Sequence, residues 1–151
     1  MSDSNSRRVV VGLDSHGRSA VVSDARDMAC VDPDGVSIQE IWWQRQIPAR
    51  ENENGKRADA VGFAPPVAGG VVRLLSVPPF SADSEWKPNL HCDDALHVIT
   101  LTSGQLDIVL EEGEVALQVG DSIVLPGSMH DLRNMNEAPA NFVYTSFPLA
   151  R

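Results

Sequence analysis

Long apolar runs are missing from this chain. No stretch approaches the roughly 20 residues of a membrane-crossing helix, and the polar start from Met1 to Arg8 has no signal-peptide core. A soluble, cytoplasmic protein is the expectation. Cysteine is scarce: Cys30 and Cys92 lie far apart without zinc-site spacing, which argues against a disulfide framework and leaves two reduced thiols. Basic residues are few, 12 Lys and Arg against 21 Asp and Glu, and the formal charge of −9 has the wrong sign for nucleic acid or an anionic membrane as partner. Helical periodicity and internal repeats are absent as well.

Turn residues and short alternating runs are what the chain does have. With 10 prolines, 11 glycines and 42% apolar residues in 151, it reads as one turn-rich globular domain, long enough to bury a core. Residues 1–6 are polar and expected to be disordered; residues 7–151 form the domain, opening with a β arm. In that arm, strands at Arg8 to Leu13 and Ser19 to Ser23 flank Asp14-Ser15-His16-Gly17-Arg18, a hairpin turn that puts His16 on a solvated tip. Asp32-Pro33-Asp34-Gly35 is the strongest local turn signal. Val36 to Gln44 reads as a strand in which adjacent Trp42 and Trp43 should face opposite sides. Residues 47–70 read as a long loop, the kind that often forms a lid. Strands follow at Val71 to Val77 and, near the end, Asn141 to Phe147.

Chemistry is concentrated in two blocks that hold three of the four histidines. The first is His91-Cys92-Asp93-Asp94-Ala95-Leu96-His97. Read as a strand, it turns His91, Asp93 and His97 to one face and Cys92 to the other as a small packed residue. The second runs from the Gly120-Asp121 turn through Ile123-Val124-Leu125 and a Pro126-Gly127 turn to His130. Between them, Leu106 to Leu110 and Val115 to Val119 form a hairpin that returns His130 beside His91 and His97. Neutral imidazoles bind first-row divalent metals and leave coordination places open for substrate, water or dioxygen. The donors can be taken as three histidines, or as His91, His130 and Asp93 with His97 added. An all-histidine site leaves the ion its full charge and favours anionic, bidentate substrates; ligation by Asp93 weakens that preference. Ligand type alone admits Fe(II), Mn(II), Ni(II), Cu(II) and Zn(II).

These blocks resemble the two motifs of the cupin superfamily. The first motif falls on Glu85 (where Gly is usual), His91, Asp93, His97 and Gly104; the second falls on Gly120, Pro126, Gly127, His130 and Asn134. Asp93 stands where a second His is usual and His97 where Glu is usual. The opening strand, the Ile41-Trp42 segment and the Arg73 to Pro79 run extend the likeness to short single-domain cupins of the conserved-barrel type. The resemblance implies an all-β, double-stranded β-helix (jelly-roll) barrel. It also implies one divalent transition metal ion, Fe(II) foremost, on His91, Asp93, His97 and His130. The implied function is an enzyme acting on a small oxygenated, anionic or enolisable molecule. Its reaction would be of dioxygenase type or Lewis-acid decarboxylation, dehydration or cyclisation, as in polyketide or aromatic metabolism. The alternative is a non-catalytic small-molecule-binding module. Metal-free isomerase or epimerase chemistry would need a His-Asp base, a tyrosine acid and basic residues in the lumen, and Tyr144 is the single tyrosine. Open sheet edges and the β arm lead to the expectation of a homodimer.

Overall fold

The computed structural model describes residues 6–50 and 53–150. They form eleven strands: β1 (Arg8–Leu13), β2 (Ser19–Ala25), β3 (Cys30–Val31), β4 (Ser37–Gln44), β5 (Gly70–Val77), β6 (Ala95–Ser103), β7 (Leu106–Leu110), β8 (Glu114–Leu117), β9 (Ser122–Pro126), β10 (His130–Arg133) and β11 (Ala140–Pro148). Among the described residues no helix is long and apolar enough to cross a membrane. Of residues 1–6, expected to be disordered, only Ser6 lies within the described part, and its N–H donates to Gln39 Oε1 at 3.0 Å.

Strands β3-β4-β5-β11-β6-β9 make one sheet, β10-β7-β8 a second, and β1-β2 a separate hairpin. The core lies between the two larger sheets. Ile38, Leu75, Ile99, Leu101, Leu125 and Phe142 from the first meet Leu106, Ile108 and Leu117 from the second. Such face-to-face packing buries the apolar half of each alternating strand.

Register decides what stands inside the barrel. Ile38, Leu75, Phe142 and Leu101 are aligned across β4, β5, β11 and β6. This apolar row closes one end. Two residues along, the aligned set is Glu40, Arg73, Tyr144 and Ile99. The next brings Trp43 opposite Val71 and Ser146 opposite both Val71 and His97. The inner face therefore changes from hydrocarbon to hydrogen-bonding groups in two steps of the pleat.

Two expectations need correction. The segment from His91 to His97 is not one strand. His91 makes a single bridge to His130, residues 92–94 are irregular, and β6 begins at Ala95. The chain there passes from β10 of the small sheet to the neighbours of β6 in the large one, and continuous pairing cannot follow that change of sheet. Cys92 lies in the irregular stretch and is exposed, not packed. A bulge between Glu40 and Trp42 resets the register, and both tryptophan rings end half-buried against residues 53–57, Trp42 beside Gly55 and Trp43 beneath the Arg57 guanidinium at 4.0 Å.

Candidate metal and acid–base centre

His91, Asp93, His97 and His130 all line one cavity of about 420 Å³, whose wall also includes Phe63, Arg73, Leu132 and Tyr144. His97 is the third residue of β6, where alternation turns it inward with Ala95 and Ile99. His130 opens β10 after the Pro126-Gly127 turn, and its backbone N–H and C=O pair with those of His91 at 2.9 and 3.0 Å. That exchange sets the His91 and His130 rings 4.7 Å apart, with His97 5.9 Å from His130. His91 sits exposed at the lip; His130 and His97 are buried.

Hydrogen bonds assign the nitrogens. His91 Nδ1 lies 3.0 Å from Asn89 O and His130 Nδ1 2.8 Å from Ser128 O. A carbonyl oxygen only accepts, so each Nδ1 carries the proton and each neutral ring keeps its lone pair on Nε2. Backbone carbonyls fix metal-binding histidines in this manner. His97 differs. Its Nε2 lies 3.1 Å from Asp93 Oδ2, and its Nδ1 lies 2.7 Å from the Tyr144 hydroxyl and 3.1 Å from Ser146 Oγ. Nε2–H donates to the carboxylate, and Nδ1 accepts from Tyr144. Burial disfavours the imidazolium and lowers the His97 pKa, against the pull of Asp93. The result is a line of hydrogen bonds, Tyr144 to His97 to Asp93, at the edge of the His91–His130 pair.

The donor set suits a divalent ion in its chemistry, with two free Nε2 lone pairs beside a half-exposed carboxylate. Its arrangement is open: among the described residues no three His, Cys, Asp or Glu side chains already converge as a metal cage. The Asp93 side chain, 35% exposed against 3% for His97, is the member with room to turn.

Other residues fall where the sequence put them. His16 is exposed in the β1–β2 turn. Asn134 is buried and holds a turn: Nδ2 donates to Val77 O and Ala138 O at 3.1 and 2.9 Å, and Oδ1 accepts from Asn136 N at 3.0 Å. Two buried charged residues were missed, Arg73, which lines the lumen, and its partner Glu40. Their signal was present in the strand period, since Arg73 alternates with Val71 and Leu75 and is therefore a charge on an apolar face. Tyr144, the tyrosine whose lumen position the sequence left open, faces the cavity.

With eleven strands in this order and a histidine-lined lumen, the chain has the cupin fold. No protein-family model matches the sequence, and no curated protein matches it. Solved structures do. A cupin 2 conserved barrel domain protein from Salinispora arenicola is 13% identical over 79% of this chain and 81% of its own (TM-score 0.51). A putative ethanolamine utilization protein Q from Salmonella typhimurium is 11% identical, covering 96% and 98% of the two chains (TM-score 0.52). A sugar phosphate isomerase from a cupin superfamily of Silicibacter pomeroyi is 21% identical over 76% of this chain, which spans 60% of its length (TM-score 0.49).

Proposed function

We propose that the lumen is the active site of a metal-dependent enzyme acting on a small oxygenated organic molecule, with His91, His130 and Asp93 holding one divalent ion and His97 holding Asp93. The observation that carries this reading is the spending of both Nδ1 protons, on Asn89 O and Ser128 O, which leaves two Nε2 lone pairs on neighbouring rings. His97 donates to one Asp93 oxygen and leaves the other to the ion, completing two histidines and a carboxylate, a set with open positions that Fe(II) accepts. When bound, the ion supplies a Lewis acid for a carbonyl or enolate oxygen and, as iron, the redox chemistry that dioxygen needs. The chain's own residues bind the molecule against Phe63 and Leu132 and keep a protonated hydroxyl at Tyr144.

Elemental analysis of protein purified without added metal is the test. About one iron, zinc or manganese per chain is expected, with strong loss in His91→Ala, His130→Ala and Asp93→Ala and none in His16→Ala. A residue that only orients a ligand costs about 10- to 100-fold in metal affinity, and His97→Ala should fall in that range. Complete loss there would restore His97 as a ligand and the three-histidine set. Wild-type protein that takes up no metal from any of these ions would sink the proposal. A second reading then stands on the Tyr144–His97–Asp93 line: metal-free proton transfer, with His97 as base and Tyr144 as acid. In that case Tyr144→Phe is the variant that stops turnover while the protein stays folded.

A further inference from the structure

The inward row across β4, β5 and β11 carries a charge that neither reading uses. Glu40, Arg73 and Tyr144 stand directly opposite one another on neighbouring strands. Arg73 is only 1% exposed, yet it lines the lumen. Its Nε and Nη2 reach the same Glu40 oxygen at 3.3 and 3.2 Å. Arg57 Nη1 lies 3.5 Å from that oxygen too. Arg57 has a second carboxylate in Asp59, bonded at 2.9 and 3.0 Å, whereas Arg73 has a share of Glu40 alone. A guanidinium offers five N–H donors in a planar fork. Here one edge is spent on Glu40, Nη2 also reaches Ala64 O at 3.5 Å, and Nη1 makes no hydrogen bond among the described residues. A buried cation that shares its counter-ion is under-compensated, and a second anion placed against it recovers part of the desolvation cost.

We propose that Arg73 selects the substrate: it binds the carboxylate of a small organic acid in the lumen, and Glu40 is the positioning residue that fixes its guanidinium. This rests on the lumen being the substrate site and does not require the ion. Residues directly opposite on antiparallel strands have Cβ atoms about 4.5–5.5 Å apart. A carboxylate held by Arg73 therefore puts the adjoining carbon beside the Tyr144 hydroxyl, which touches His97. The apolar remainder of the molecule meets Phe63 and Leu132.

Calorimetric titration of the full-length protein with acetate, pyruvate and benzoate, each against its neutral amide, tests the idea. The titrations are run on protein as purified and after chelator treatment. Chelator-treated wild type should bind at least one acid about tenfold more tightly than its amide, the scale of one charge-assisted hydrogen bond. The paired variant Glu40→Gln/Arg73→Gln removes both charges together, leaving neither buried ion alone; it should fold and lose the preference. Arg73→Lys keeps the charge without the fork and should retain a weaker one. Equal binding of acid and amide by chelator-treated wild type, binding of none of the three acids, or a preference that survives in a folded double variant would each overturn the proposal. A preference that exists only with metal present rejects Arg73 and leaves the metal reading intact. One that persists in a protein found to take up no metal does the reverse.

Discussion

Tyr144 is the single tyrosine of the chain, so its ionisation can be followed without interference from another phenol. Burial pushes its pKa up to about 12, with the hydrogen bond from Ser146 pulling the other way. At neutral pH the proton stays on, and Tyr144 donates to His97 Nδ1. Its absorbance near 295 nm should show no phenolate until close to pH 12 in the native protein, against about 10 after unfolding. Linkage gives the sign. Because the folded pKa is raised, the native state binds this proton more tightly, so the contribution to stability is complete below about pH 10 and is lost as pH rises toward 12. Wild type should therefore lose Tm relative to Tyr144→Phe across that window, and parallel Tm curves for the two proteins would contradict the burial. No local pattern announces such a residue. The sequence makes Asn141 to Phe147 a strand, but which neighbour Tyr144 meets depends on pairing β11 with β5 and β6, contacts far apart in the chain.

Among the elements, the segment between β4 and β5 departs most from its sequence reading. Its polar composition points to a lid with little to bury, and Phe63 does reach the lumen. Yet it also anchors to the sheet. Gly55 O accepts from Trp43 N at 2.7 Å, Glu53 Oε2 accepts from Gln44 Nε2 at 2.6 Å, and Val61 packs against the core. Gly55 is a point of close approach: it has φ of +65°, and an added Cβ would run into the Trp42 ring. Both the left-handed backbone and the lack of space exclude a side chain. Gly55→Ala should cost about 1–3 kcal/mol by overpacking, measured by urea unfolding, with metal content unchanged. Full stability in that variant would mean that the segment does not rest on the tryptophans. Composition hides the part of this docking that rests on Gly55, its backbone bond to Trp43 and the Glu53–Gln44 bond, because none of these registers as hydrophobic.

For the whole molecule, strand positions and the histidine-bearing turns were legible because alternation, Gly-containing turns and motif spacing are local. The Arg73–Glu40 pair was harder to read because its partners come from different strands, and the His91–His97 segment was misread because its chain changes sheets. Assembly follows a similar division. The β1–β2 hairpin pairs with neither larger sheet; Arg8 ties it to β4 by donating to Ile41 O at 2.9 Å, and it exposes Val9, Val11, Leu13, Val21 and Val22. Val11 and Val21 are paired in register and are 62% and 60% exposed. A row of apolar side chains on a two-stranded ribbon is unstable alone in water and marks a surface for association. Each strand of the ribbon also keeps one edge unpaired among the described residues, open to an isologous contact in which the same patch meets itself. We therefore expect a homodimer. Light scattering at micromolar concentration should give twice the chain mass of 16.3 kDa. Val11→Asp/Val21→Asp, which sets two like charges opposite each other on that face, should give the monomer with the barrel's metal content retained. A monomeric wild type, or a double variant that remains dimeric, would remove the hairpin from the interface.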